Sequence, residues 1–215
     1  MRKVFEIAKK DLKIEFRSKG TINFMILFSL IVSFMFSIAI PKNVVNDVAL
    51  PLLLLVFIFV GVLGYSRAFL KEAEMETLDG LKVSPISPST ILVGKIIYNC
   101  ILIILIEMTI LPIFFALFNL KINFILLFAS ITIGNLAFVT VISSLSVLVI
   151  KSRARELLMP IIAFPISFPV ISSMIVVMNS LTFGQLNLDP LIFISLYSAM
   201  MLTVSILVFD YLFVE

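Results

Sequence analysis

Polar and apolar residues along this chain fall into blocks rather than alternating singly. Six apolar stretches are long enough to cross a bilayer core of ~30 Å: Ile22–Ile40, Ala49–Ser66, Ile96–Phe118, Phe124–Ile150, Leu157–Leu181 and Leu191–Val214. The segments between them are short: Pro41–Val48, Arg67–Lys95, Asn119–Asn123, Lys151–Glu156 and Thr182–Pro190. Only Arg67–Lys95 has room for structure of its own, and no soluble domain interrupts the series. The pattern predicts an all-α integral membrane protein with six transmembrane helices, forming one domain over residues 1–215. Ahead of the first span the period changes. On a helical wheel over Met1–Ser18, Val4, Phe5, Ala8, Leu12 and Phe16 fall on one side. Arg2, Lys3, Lys9, Lys10, Lys13 and Arg17 fall on the other, with Glu6 among them. A helix of this kind lies in the membrane interface, aromatic side toward the acyl chains and basic side toward anionic headgroups. Residues 1–21 are therefore expected to form an amphipathic elbow helix, which either anchors the first span or also touches a cytoplasmic partner.

Basic residues orient the spans, because Lys and Arg accumulate on the cytoplasmic side of a membrane. Seven precede the first span (Arg2, Lys3, Lys9, Lys10, Lys13, Arg17 and Lys19). Arg67, Lys71, Lys82 and Lys95 lie in the second loop, and Lys151, Arg153 and Arg155 in the fourth. Only Lys42 and Lys121, of 16 basic residues, fall on the opposite side. Both termini and the even-numbered loops are thus expected in the cytoplasm, placing the chain in the plasma or inner membrane. The first apolar run is too long for a signal-peptide core, follows a charged segment and has no A-x-A site after it, so it reads as a retained span.

Composition agrees and removes several functions. Apolar residues make up 61% of the 215, against about 45–50% in soluble domains. Charged residues make up 13%, against about 25%. There is no histidine and a single cysteine, Cys100, which excludes His-based zinc sites, a Ser-His-Asp triad and an intrachain disulfide. No G-x-x-x-x-G-K-[ST] loop is present, so any ATP must be bound and hydrolysed by another polypeptide. Glu107 is the only ionisable side chain deep in a span, so no catalytic constellation, resident cofactor or metal site is expected, and no nucleic-acid partner.

Three features carry chemistry. The first is the second loop, RAFLKEAEMETLDGLKVSPISPSTILVGK. Helix formers over Arg67–Leu78 continue the second span outward, Asp79-Gly80 breaks the helix, and Ser87-Pro88 is an N-cap followed by proline at the first helical position. Glu72, Glu74, Glu76 and Asp79 cluster in an otherwise basic face; they are either solvated charges on a hairpin or, with Thr77, Leu78, Gly80 and Leu81, a docking element for a cytoplasmic protein. An inert loop could be far shorter. The second is Glu107, near the middle of the third span, where an unpaired charge costs ~3 kcal/mol or more. It is expected to be protonated and hydrogen-bonded to a neighbour such as Asn135, Thr140 or Ser143, or to face a wet cavity. It is thus a functional group or polar glue between helices. The third is the set Pro160, Pro165 and Pro169, which predicts a bent or broken fifth span; the bend is either a hinge for gating or a fixed shape. Arg153, Arg155 and Glu156 precede it on the cytoplasmic side. Asp210, near the cytoplasmic end of the last span, can reach the interface.

The segment GLKVSPISPSTILVGK, preceded by E-x-E-x-x-T-L-D, resembles the cytoplasmic signature of type-2 ABC exporter permeases. Glu76 stands where many of those proteins have Gly before the Thr. KKDLKIEFRSKG, IEMTILPIFFALFNL and RARELLMPIIAFPISFPV, together with length and span number, make the chain similar to the heme exporter protein B (CcmB) family. The resemblance covers nearly the whole chain. It implies a permease subunit of an ATP-driven ABC exporter in cytochrome c maturation, working with a separate cytoplasmic ATPase, with haem as possible cargo. A second six-helix membrane subunit, either a copy of itself or a haem-handling protein, is implied as partner. The alternatives are a type-2 permease for a lipid, drug or polysaccharide, and a non-transporting scaffold for the ATPase. Met174, Met178, Met200 and Met201 are the available thioethers in the last two spans, either as packing filler or as axial ligands.

Overall fold

A computed structural model describes residues 2–65, 87–149 and 155–214 of the chain. Among these residues all regular structure is α-helical, in seven helices. They are α1 (Arg2–Ser18), α2 (Gly20–Ala39), α3 (Val45–Tyr65), α4 (Pro88–Phe118), α5 (Phe124–Val149), α6 (Arg155–Thr182) and α7 (Asp189–Val214). Helices α2 to α7 are each long and apolar enough to cross a membrane. The helix is the conformation that satisfies every backbone N–H and C=O within one segment, which hydrocarbon surroundings demand. The six expected spans fall on these helices with ends displaced by a few residues. The largest displacement is at α4, which begins at Pro88 with Ser87 as N-cap. Lys95 is therefore a helical residue rather than the last residue of a loop.

The short connections end helices by local chemistry. Asn119 takes the left-handed conformation (φ 48°) after α4 and returns its N–H to the Phe115 carbonyl. The Asn123 side chain then caps α5, its Oδ1 accepting from the N–H groups of Ile125 (3.0 Å) and Leu126 (3.3 Å), as an orphaned first turn requires.

Helix α5 is the centre of the bundle and packs against α3, α4, α6 and α7. Its small residues make this possible, since membrane helices approach closely where side chains are small. Ser130, Ala137, Ser143 and Ser144 are all buried. At Gly134 a Cβ would overlap the Met174 thioether of α6, so the missing side chain is what admits that helix. Helices α2 and α7 lie at the periphery and are the least enclosed; α2 buries only the stripe Thr21, Met25, Ser29 and Ser33.

Helix α1 has three faces instead of two. Ile7, Ala8 and Glu15 are buried, with Val4, Asp11 and Leu12 half-buried beside them, and this face packs against α4. Phe5 (62% exposed) and Phe16 (49%) form a separate apolar strip. Lys3, Glu6, Lys9, Lys10, Lys13 and Arg17 occupy the exposed remainder. The five apolar residues assigned above to one membrane-facing side are thus divided between a helix and open surroundings. A helical wheel registers apolarity but not whether protein or lipid covers it.

Candidate functional site

The polar groups at membrane depth converge on the seam between α4 and α5. Glu107 is fully buried there. Its Oε1 lies 2.6 Å from Thr132 Oγ1, and its Oε2 accepts from Asn135 Nδ2 at 3.3 Å. Further along the seam, Asn99 Nδ2 donates to Ser143 Oγ at 2.9 Å. The two ties are in register. Asn99 to Glu107 is eight residues forward on α4, and Ser143 to Asn135 eight residues back on α5, as antiparallel neighbours require. Eight residues of helix rise about 12 Å, and buried Ile103 and Val139 fill the interval. The seam is a polar layer, an apolar layer and a second polar layer.

Thr132 shows how Glu107 fits. Its Oγ1 also lies 2.8 Å from the Phe128 carbonyl oxygen, and a hydroxyl has one proton to give. If that proton goes to Phe128, the short contact to Glu107 takes its proton from the carboxyl. A neutral Glu107 thus satisfies the group without burying an unpaired charge. Of the neighbours expected for Glu107, Asn135 is brought to it. Thr140 instead donates to the Leu136 carbonyl (2.8 Å), and Ser143 belongs to the Asn99 layer. Thr132 was missed; it sits one turn before Asn135, the first of the expected partners on the same helix, and only the α4–α5 register selects it.

The three prolines lie inside α6, which continues unbroken from Arg155 to Thr182. The break that three prolines allow does not occur. Tyr197 Oη of α7 donates to the Ile166 carbonyl at 2.7 Å, within the turn before Pro169. Ser172 Oγ donates to the Pro169 carbonyl at 3.2 Å. Phe164, next to Pro165, meets Phe59 of α3 edge-on with ring centroids 6.2 Å apart. Ser167 Oγ and Ser144 Oγ are buried with no hydrogen-bond partner among the described residues, so polar capacity remains on the α5 and α6 faces.

Among the thioethers, Met174 and Met178 are buried in the core, Met174 against Gly134. Met200 is 54% exposed. Among the described residues no three acidic or cysteine side chains gather as metal ligands. Glu72, Glu74, Glu76, Thr77, Leu78, Asp79, Gly80 and Leu81, the expected docking element, lie outside the described residues, as does Arg153.

The family model described as CcmB protein matches residues 2–212. A comparison with curated proteins gave no match.

Proposed function

The chain belongs to the CcmB family, and on that premise we propose that it is the membrane-spanning permease subunit of an ATP-driven exporter complex, coupled to a separate cytoplasmic ATPase and acting on haem in cytochrome c maturation. CcmB proteins are permease components of the haem exporter of cytochrome c maturation and not enzymes, and the chain is a multi-pass membrane protein. The family match over 2–212 is the observation that carries the proposal; the six long apolar helices agree with it.

The finer parts rest on the chain's own residues. Thirteen of 16 basic residues lie before the first span and in the second and fourth loops, and a fourteenth, Lys95, near the start of α4, which supports cytoplasmic termini in an inner or plasma membrane. The exposed Phe5 and Phe16 beside Lys9, Lys13 and Arg17 support α1 as an interfacial elbow helix, its aromatic strip in lipid and its charged face toward headgroups and cytosol. The acidic cluster of residues 72–79 and the length of the connection between α3 and α4 support that connection as the surface the ATPase grips. A second six-helix subunit, a copy of this chain or a haem-handling protein, completes the pathway for cargo.

The docking assignment has a direct test. Deleting Glu74–Leu81 is expected to leave membrane insertion intact and to abolish co-purification of the ATPase with a tagged chain. Full retention of the ATPase on the shortened chain would move the docking surface elsewhere. In the intact complex, ATP hydrolysis stimulated by haem marks a transporter; hydrolysis indifferent to haem marks a scaffold.

A further inference from the structure

Four ionisable side chains meet where α1 and α2 join the start of α4, far from Glu107 along the helix. Helix α1 packs against α4, with Val4 and Ile7 meeting Gly94 and Asp11 meeting Lys95. At Gly94 the backbones nearly touch, since a Cβ there would come within 2.9 Å of the Ile7 side chain and 3.1 Å of the Val4 carbonyl oxygen. Lys95 follows, only 1% exposed, its Nζ 3.3 Å from Asp11 Oδ2. Asp11 also pairs with Lys10 at 3.3 Å.

Glu15 ties in the third helix. It is 3% exposed, and its Oε1 accepts from the N–H groups of Thr21 (2.7 Å) and Ile22 (3.3 Å). These are two of the four unsatisfied N–H groups that open α2. The preceding residue, Lys19, stands in the left-handed conformation (φ 55°) and makes no side-chain cap. The cap comes instead from a carboxylate in the previous helix, at the end where the helix dipole favours negative charge. The same carboxylate is hydrogen-bonded to Tyr98 of α4. Removing one member would strand the others, because a buried charge or N–H without its partner is costly.

We propose that Glu15, Lys95, Asp11 and Tyr98 form a three-helix joint that holds α1 and the first turn of α2 on the first turns of α4, so that a displacement of the α4 start is delivered to α1 and α2 together. Glu15 and Lys95 are its positioning residues. The consequence for α1 is that it is a standing member of the bundle, not a surface helix that detaches and returns.

Amide hydrogen exchange of the full chain in lipid nanodiscs, without ATPase or haem, tests the joint independently of the proposed function. The peptides to follow cover residues 2–25, with those of α5 to α7 as the measure of an intact bundle. Glu15→Leu, which keeps bulk but no acceptor, is expected to speed exchange over 2–25 about tenfold or more. Glu15→Gln keeps a carbonyl acceptor and is expected to restore most of the protection. Lys95→Met is expected to speed exchange at Thr21 and Ile22 as well as in α1. Lys95 pairs with Asp11 on α1, so loosening at α2 reports transmission through the joint. Lys13→Gln, which removes an exposed charge from the same helix, is expected to change nothing. The proposal is overturned if Lys95→Met leaves Thr21 and Ile22 as protected as in the parent chain, or if Lys13→Gln loosens 2–25 equally. Lys95→Met decides the matter on the same terms should Glu15→Leu fail to fold.

Discussion

Glu107→Ala is expected to destabilise the bundle by about 2–4 kcal/mol, from a cavity at a fully buried position and the loss of two interhelical hydrogen bonds. Glu107→Gln is expected to cost less than about 1 kcal/mol. The difference follows from the geometry of the α4–α5 seam. The carboxyl is fully buried and bonds to Thr132 and Asn135. A carboxamide has the same shape, offers N–H groups to the Thr132 hydroxyl and keeps an oxygen for Asn135. Alanine leaves both partners facing a void, and the second polar layer no longer fixes the register that Asn99 and Ser143 set at the first. Thermal unfolding in detergent, followed by loss of monodisperse protein, checks both values. The functional readout separates the two roles the sequence leaves open. The buried, fully bonded carboxyl supports the role of interhelical tie, so Glu107→Gln is expected to sustain cytochrome c maturation near the parent level. A Glu107→Gln chain that folds normally yet fails in maturation would assign the carboxyl proton a part in transport.

The second large effect is expected in α6. Exchanging Pro165 and Pro169 together for alanine restores two backbone donors, which can bond to the carbonyls of Ile161 and Pro165. It also removes two ring clashes with the preceding turn. Stability is expected to rise by about 1–3 kcal/mol. Maturation is nevertheless expected to fall about tenfold or more while the ATPase stays bound, the usual exchange of activity for rigidity when a moving part is stiffened. Helix α6 stays continuous across both prolines, with Tyr197 and Ser172 hydrogen-bonded to carbonyls of the same stretch. Unchanged maturation in the double variant would reduce the prolines to a fixed shape.

Much of the fold was legible in the sequence because membrane helices leave a coarse signal. Hydropathy and short loops are enough to find six spans, and Ser87-Pro88 marks the start of α4 because capping is a local matter. Tertiary choices were not legible. Val4, Ala8 and Phe16 look alike on a wheel, yet two face α4 and one faces outward, a distinction made by Gly94 eighty residues away. Lys95 counted as a loop residue because a lysine beside an apolar run ordinarily marks the run's end; its partner Asp11 lies among seven basic residues that read as a surface. Glu15 was invisible as a cap because the helix it caps is not its own. Glu107 was visible through its cost alone, and its partner Asn135 was among the polar residues of the next span. Thr132 needed the register. The motif at residues 72–81 was legible as sequence and lies outside the described structure.

A permease component of cytochrome c maturation is needed for haem attachment, and its loss is read directly in cells. Cells lacking the chain should be assayed for covalently bound haem in c-type cytochromes, with non-covalent haem proteins measured in parallel and the intact chain restored on a plasmid. The expected result is loss of c-type cytochromes with other haem proteins unchanged, and recovery when the chain is restored. Normal levels of covalently bound haem in its absence would contradict the account.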